Sequence, residues 1–127
     1  MTIKVLLVDD LLLDVALTRR AMEDCKLAHR IVVASDGEEA YRLLGEACFD
    51  LLLLDIKMPR VDGFELMERL RGRAAGHLPV IVLSGSALET DRTRADALGA
   101  IEYVHKAFDY GEFRHALKAA LGRHGFC

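Results

Sequence analysis

Leu51-Leu-Leu-Leu-Asp55-Ile-Lys-Met-Pro-Arg-Val-Asp-Gly63 decides the fold. Four leucines stop at a carboxylate, and a Pro and an Asp-Gly follow within eight residues. A short, continuous apolar run bounded by turn signals reads as a strand buried on both faces. Asp55 then stands at the carboxyl end of that strand. In open α/β sheets, ligands bind along that edge.

Working outward, the same pattern recurs. Val5 to Val8 is a second apolar run, and it ends in Asp9-Asp10. Ile31 to Ala34 is β-branched and reads as a strand. Pro79 to Leu83 is another buried run, ending in Ser84, and Ile101 to Val104 is the fifth, followed by His105-Lys106. Helical stretches fall between them. The first runs to about Lys26 with Asp14 as its N-cap, and Thr18, Met22 and Cys25 form its inner stripe, broadened by Leu17 and Ala21. The others are Glu38 to Leu44, Phe64 to about Gly72, Glu89 to Leu98 and Gly111 to Leu121. The Glu89–Leu98 stretch has the thinnest apolar stripe, Ala95 and Leu98. Strands alternating with helices imply parallel βαβ units with right-handed crossovers, hence one sheet between two helix layers.

The totals agree with one globular domain. The chain has 127 residues, 52% of them hydrophobic and 29% charged, which excludes a disordered chain. A net charge of -3 gives no general reason to expect nucleic-acid binding. No apolar run approaches the roughly 18 residues of a membrane span, and the direct passage of Met-Thr-Ile-Lys into a strand pattern leads us to expect no signal peptide. Cys25, Cys48 and Cys127 form neither a disulfide framework nor a metal knuckle. Cys25 and Cys48 are expected at core or near-core positions and Cys127 as an exposed thiol. A reducing, cytoplasmic setting suits this usage. Residues 1–122 are expected as the domain, with no output domain, and residues 123–127 as a frayed tail.

In a parallel sheet, all carboxyl ends lie on one edge, so Asp9, Asp10, Asp55, Ser84 and Lys106 are brought together from remote parts of the chain. Crowded carboxylates repel, and a divalent cation relieves the repulsion. Oxygen donors without His or Cys select a hard ion, Mg²⁺ first. A carboxylate nucleophile forms acyl-phosphate intermediates, and Mg²⁺ with Lys106 would steady the phosphoryl oxygens. The Ser84 hydroxyl would donate to one of them.

Val8-Asp-Asp10, Leu54-Asp55, Met58-Pro59, Asp62-Gly63, Ser84 after a buried strand, Leu98-Gly-Ala100, and Tyr103 before Lys106 occur in one order across nearly the whole chain. Together they resemble the response-regulator receiver domain of two-component signalling. The resemblance implies a flavodoxin-like doubly wound (βα)5 fold with strand order 2-1-3-4-5. It implies Asp55 as phosphoacceptor, with Asp9, Asp10 and the backbone carbonyl of Lys57 around Mg²⁺. It implies Ser84 and Tyr103 as switch residues, Lys106 as the phosphate contact, and a sensor histidine kinase as donor. The stretches Leu13 to Thr18 and Tyr103 to Phe113 are similar to small stand-alone regulators paired with bacterial phytochromes. That narrower likeness implies a homodimer through the fourth helix, fifth strand and fifth helix.

Two departures bear on function. Ala107 stands where the family usually has Pro, often after a cis bond, so the Lys106-Ala107 loop is expected either trans and shifted, or cis under strain. Leu11 and Leu12 stand where polar residues are common, which suggests either a partner surface or buried packing. Two other classes of function compete with the single-domain switch. One is a small phosphatase turning over through an aspartyl-phosphate. The other is a pseudo-receiver that binds partners without phosphorylation.

Overall fold

The computed structural model of the chain describes residues 2–58, 60–71, 77–106 and 109–127. Five strands alternate with five helices: β1 Thr2–Val8, α1 Leu12–Met22, β2 Ala28–Ala34, α2 Gly37–Glu46, β3 Leu51–Asp55, α3 Gly63–Leu70, β4 Val80–Ser84, α4 Glu89–Ala97, β5 Glu102–His105 and α5 Tyr110–Arg123. The sheet runs β2-β1-β3-β4-β5, and every neighbouring pair is parallel. This is the flavodoxin-like order expected from the sequence.

The leucine run shows why the sheet lies in the middle. Side chains alternate across a strand, so Leu51 and Leu53 pack on one face with α1 and α5 through Met22, Phe113 and Leu117. Leu52 and Leu54 pack on the other face with α2, α3 and α4 through Ala40, Leu66, Met67 and Ala95. All four leucines are fully buried. Each contributes about 1.5–3 kcal/mol by leaving water.

Caps fix where the helices begin. Asp36 accepts from the Glu39 amide at 2.8 Å and starts α2; Asp62 accepts from the Glu65 amide at 2.9 Å and starts α3. Asp109 does the same for α5 through the Gly111 amide at 2.8 Å. Asp14 is not such a cap. The N-cap of α1 is Leu11, without a side-chain hydrogen bond, and Asp14 lies inside the first turn, facing the sheet edge.

Several expected boundaries move. β1 and β2 each begin three residues early, because the ladder pairs Thr2, Ile3 and Lys4 with Ala28, His29 and Arg30. Ile3 is buried, but its neighbours in these two strand ends are polar or not buried, so the hydrophobic runs are shorter than the strands. α1 ends at Met22 instead of near Lys26; the Glu23 amide already bonds back to Arg19 and Arg20. The fourth helix forms despite its thin stripe, with only Ala95 buried. It stops before Gly99, whose φ of +101° favours glycine.

The C-terminus is not frayed. Helix α5 continues to Arg123, the Phe126 amide donates to the Leu121 carbonyl at 2.8 Å, and His29 Nε2 meets the Phe126 carbonyl at 2.9 Å. Cys127 is no exposed thiol: it forms a disulfide with Cys25, and both half-buried cysteines pack against the core. Cys48 is the exposed one. A reducing cytosol would keep Cys25 and Cys127 as thiols, so the bond belongs to oxidising conditions. Among the described residues, no helix is long and apolar enough to cross a membrane.

Candidate phosphoacceptor and metal site

Asp55 is the last residue of β3, paired with Leu83 of β4, and it is 5% exposed. Its Oδ1 accepts the Lys57 amide at 3.1 Å. Its Oδ2 faces Lys106 Nζ at 3.9 Å, beyond hydrogen-bond reach. Two glycines let the next segment close over this strand end. A Cβ on Gly63 would lie 2.7 Å from the Asp55 carbonyl oxygen and from Ile56 Cα. A Cβ on Gly37 would lie 2.2 Å from the Val61 carbonyl oxygen. The Asp62-Gly63 signal therefore does two things: it caps α3 and brings that helix against the backbone of Asp55.

Asp9 and Asp10 follow β1. Asp9 is 2% exposed; its Oδ1 accepts the Leu11 amide at 3.0 Å and its Oδ2 accepts Lys106 Nζ at 2.7 Å. Asp10 is exposed. One carboxylate oxygen from each of Asp9, Asp10 and Asp55 lies within 4.8 Å of the others. Three oxygen donors at this spacing, part sunk and part open to solvent, fit a hard divalent cation that keeps some of its waters.

Burial is the main reason that the Asp55 carboxyl is pushed up to about 6. Lys106 and the Lys57 amide oppose the rise, and the charges of Asp9 and Asp10 add to it. The Lys106 ammonium is pulled down by burial. The Asp9 hydrogen bond and the charges of Asp55 and Asp9 outweigh this and leave it above its ordinary value. It stays protonated at any physiological pH. Asp14 also reaches Lys106, at 3.1 Å, so three carboxylates lie within 4 Å of one ammonium, and Asp10 adds a fourth carboxylate to the pocket. The pocket keeps a strong negative excess.

Ser84 ends β4, fully buried, and its Oγ accepts the Ser86 amide at 3.0 Å. Tyr103, on β5 opposite Val82, donates its hydroxyl to the Ser86 carbonyl at 2.8 Å. Arg92 stacks over the Tyr103 ring at 4.7 Å. The Ser84-to-Ser86 turn thus joins the two expected switch residues. The Lys106 amide donates to the Ser84 carbonyl at 2.7 Å, which fixes the lysine's backbone at the same edge. The Lys57 side chain is exposed, 3.9 Å from Asp91. His105 is exposed and touches the Gly85 carbonyl. Leu11, Leu12 and Leu13 are 55%, 86% and 70% exposed, so the choice between packing and exposure falls to exposure. Pro59 and the Lys106-Ala107 bond lie outside the described residues.

The sequence reading missed Asp14 as a member of the pocket. Its only signal was an acid one helical turn past the Asp9-Asp10 pair, which reads equally well as a cap.

The response regulator receiver domain matches residues 5–118. A gliding motility regulatory protein of Myxococcus xanthus is 41% identical over 108 residues, 82% of this chain and 13% of that protein. This chain spans less than half the length of the first curated relatives it matches. The Mn²⁺-bound form of the response regulator Rcp1 superposes with a TM-score of 0.84 at 25% identity, covering 98% of this chain and 93% of that one. The bacteriophytochrome response regulator AtBRR gives a TM-score of 0.76 at 35% identity, covering 96% and 94%. The chain belongs to the response regulator receiver domain family of two-component signalling.

Proposed function

We propose that this chain is a phosphorylation switch in which Asp55 takes a phosphoryl group from a phosphohistidine of a sensor histidine kinase. The observation that carries this reading is the convergence of Asp55, the Asp9-Asp10 pair and the Lys106 ammonium at one strand edge. Asp55 Oδ2 accepts no hydrogen bond among the described residues and is the oxygen left to attack. The O–P bond forms as the P–N bond of the phosphohistidine, protonated on its other ring nitrogen, breaks, and the neutral imidazole leaves with the P–N electron pair. Above pH 6 the carboxyl is ionised and ready. The cation expected is Mg²⁺, held by Asp9, Asp10, Asp55 and the Lys57 carbonyl, where it would neutralise charge gathering on the phosphoryl oxygens. Lys106 and the Ser84 hydroxyl would bind the remaining oxygens, so the domain assists its own phosphorylation and dephosphorylation.

Output would come as a population shift. Phosphate at Asp55 draws Ser84 inward, which breaks its bond with the Ser86 amide; the turn moves, and Tyr103 loses its acceptor and turns in. The face of α4, β5 and α5 then changes its affinity for partners. That face would also form a homodimer, as the phytochrome-type likeness suggests, and cytoplasmic work beside a phytochrome-type kinase follows from the same reading. The exposed leucines beside the pocket favour a second reading, a pseudo-receiver that binds partners without phosphate.

Intact mass after incubation with Mg²⁺ and acetyl phosphate separates the two. One added phosphoryl group in the wild type and none in Asp55→Asn supports the switch. Equal labelling of both proteins would sink Asp55 as the acceptor. A wild type labelled neither by acetyl phosphate nor by a cognate kinase would leave the pseudo-receiver.

A further inference from the structure

Lys106 is the cation of the pocket, yet it does not bond Asp55. Its Nζ sits 2.7 Å from Asp9 Oδ2 and 3.1 Å from Asp14 Oδ2, with Asp55 Oδ2 at 3.9 Å. Its side chain is 14% exposed, so these acceptors largely replace water. Asp14 projects from the first turn of α1 toward the sheet edge while Leu12 and Leu13 beside it face solvent. It caps nothing: among the described residues, its one hydrogen bond is the one from Lys106.

The Asp9 carboxylate that holds the lysine belongs to the acidic cluster. An ammonium at 2.7 Å from Asp9 Oδ2 and a divalent cation drawing on that carboxylate compete for the same negative charge. A lysine without another acceptor would have to be pushed into a half-buried place with nothing to bond. Asp14 supplies that acceptor.

We propose that Asp14 is a positioning residue for Lys106. It keeps the ammonium on the α1 side of the pocket, clear of Asp55 Oδ2. It also receives the lysine when a divalent cation takes Asp9. This deepens the phosphoacceptor reading and rests on it for the cation. The lysine's position rests on the geometry alone.

The test has two readouts, each on the whole chain, with thermal unfolding checked first for every variant. The first needs no metal. The side-chain ammonium of Lys106 is observed by NMR on ¹⁵N-lysine protein and assigned by its loss in Lys106→Met. Half-buried and doubly bonded, it exchanges slowly with water, and in Asp14→Ala, which removes the acceptor, the signal broadens or disappears. A signal unchanged in Asp14→Ala would overturn the proposal. The second is Mg²⁺ affinity by calorimetry in a double-mutant cycle. Asp14→Ala weakens binding about three- to tenfold in the wild-type background and less than about twofold in the Lys106→Met background. Asp14→Glu, which keeps the acceptor, restores most of the affinity. An equal loss in both backgrounds would mean that Asp14 acts as a diffuse charge, which would also overturn the proposal. If the wild type takes up no Mg²⁺, the cation reading of the pocket fails, and the retreat of the lysine with it. The ammonium signal then decides whether Asp14 positions Lys106.

Discussion

Replacing Asp55 by Asn should make the metal-free domain more stable, and the gain should depend on pH. Asp55 is buried among like charges, and its carboxyl is raised from the usual 3.8 to about 6. A carboxyl raised by folding binds protons more tightly in the native state. Between pH 4 and 6 the folded chain therefore holds the extra proton, and stability falls as pH rises through that window. Above about pH 6 the whole cost is present. The difference between about 6 and 3.8, at about 1.4 kcal/mol per pH unit, comes to about 3 kcal/mol. The attraction of Lys106 is already contained in that value. Asn keeps the shape and the carbonyl that accepts the Lys57 amide, and it removes the charge. Urea unfolding with a chelator present should show Asp55→Asn more stable by up to about 3 kcal/mol at pH 7.5, and by about half of that at pH 5. Saturating Mg²⁺ should shrink the gap by stabilising the wild type. A destabilised variant, or a gain of the same size at both pH values, would refute the burial-and-repulsion reasoning.

Other expected outcomes follow from single contacts. Gly63→Ala places a methyl group 2.7 Å from the backbone of Asp55 and Ile56, so it should cost about 1–3 kcal/mol in unfolding experiments and slow phosphorylation. Saturating Mg²⁺ at a hundred times its Kd should stabilise the wild type by about 2.7 kcal/mol, and Asp10→Asn should lose most of that; a thermal-shift titration reads both. Closing the Cys25–Cys127 bond, 102 residues apart, should raise stability by about 4 kcal/mol over the reduced chain. Comparing the oxidised protein with Cys127→Ser checks this.

How far the fold was legible depends on what each element asks of its side chains. Leu51 to Leu54 face two cores at once, so hydrophobicity alone announced β3 and placed Asp55 at its end. The N-terminal ends of β1 and β2 pair where Ile3 is the one buried apolar side chain beside Lys4, His29 and Arg30, which stay partly or largely exposed, so the apolar run there is too broken to mark a strand. Asp9, Asp10, Asp55, Ser84 and Lys106 were readable as a site because a parallel sheet sends all its strand ends to one edge. Asp14 was not, because its side chain crosses from a helix to that edge, and a helical acid near an N-terminus is ordinarily a cap. The disulfide was equally hidden. Only the packing of α1 against α5 brings residue 127 to residue 25, and spacing along the chain carries no trace of that meeting.

Phosphate on this domain should be held as an acyl phosphate on Asp55. Borohydride reduces an acyl phosphate to an alcohol, so treating the phosphorylated domain and mapping its peptides locates the bond chemically. Homoserine is expected at position 55 and nowhere else, with none formed when Mg²⁺ is withheld during phosphorylation. Reduction at another acid, or a phosphoryl group that borohydride and hydroxylamine leave untouched, would contradict it.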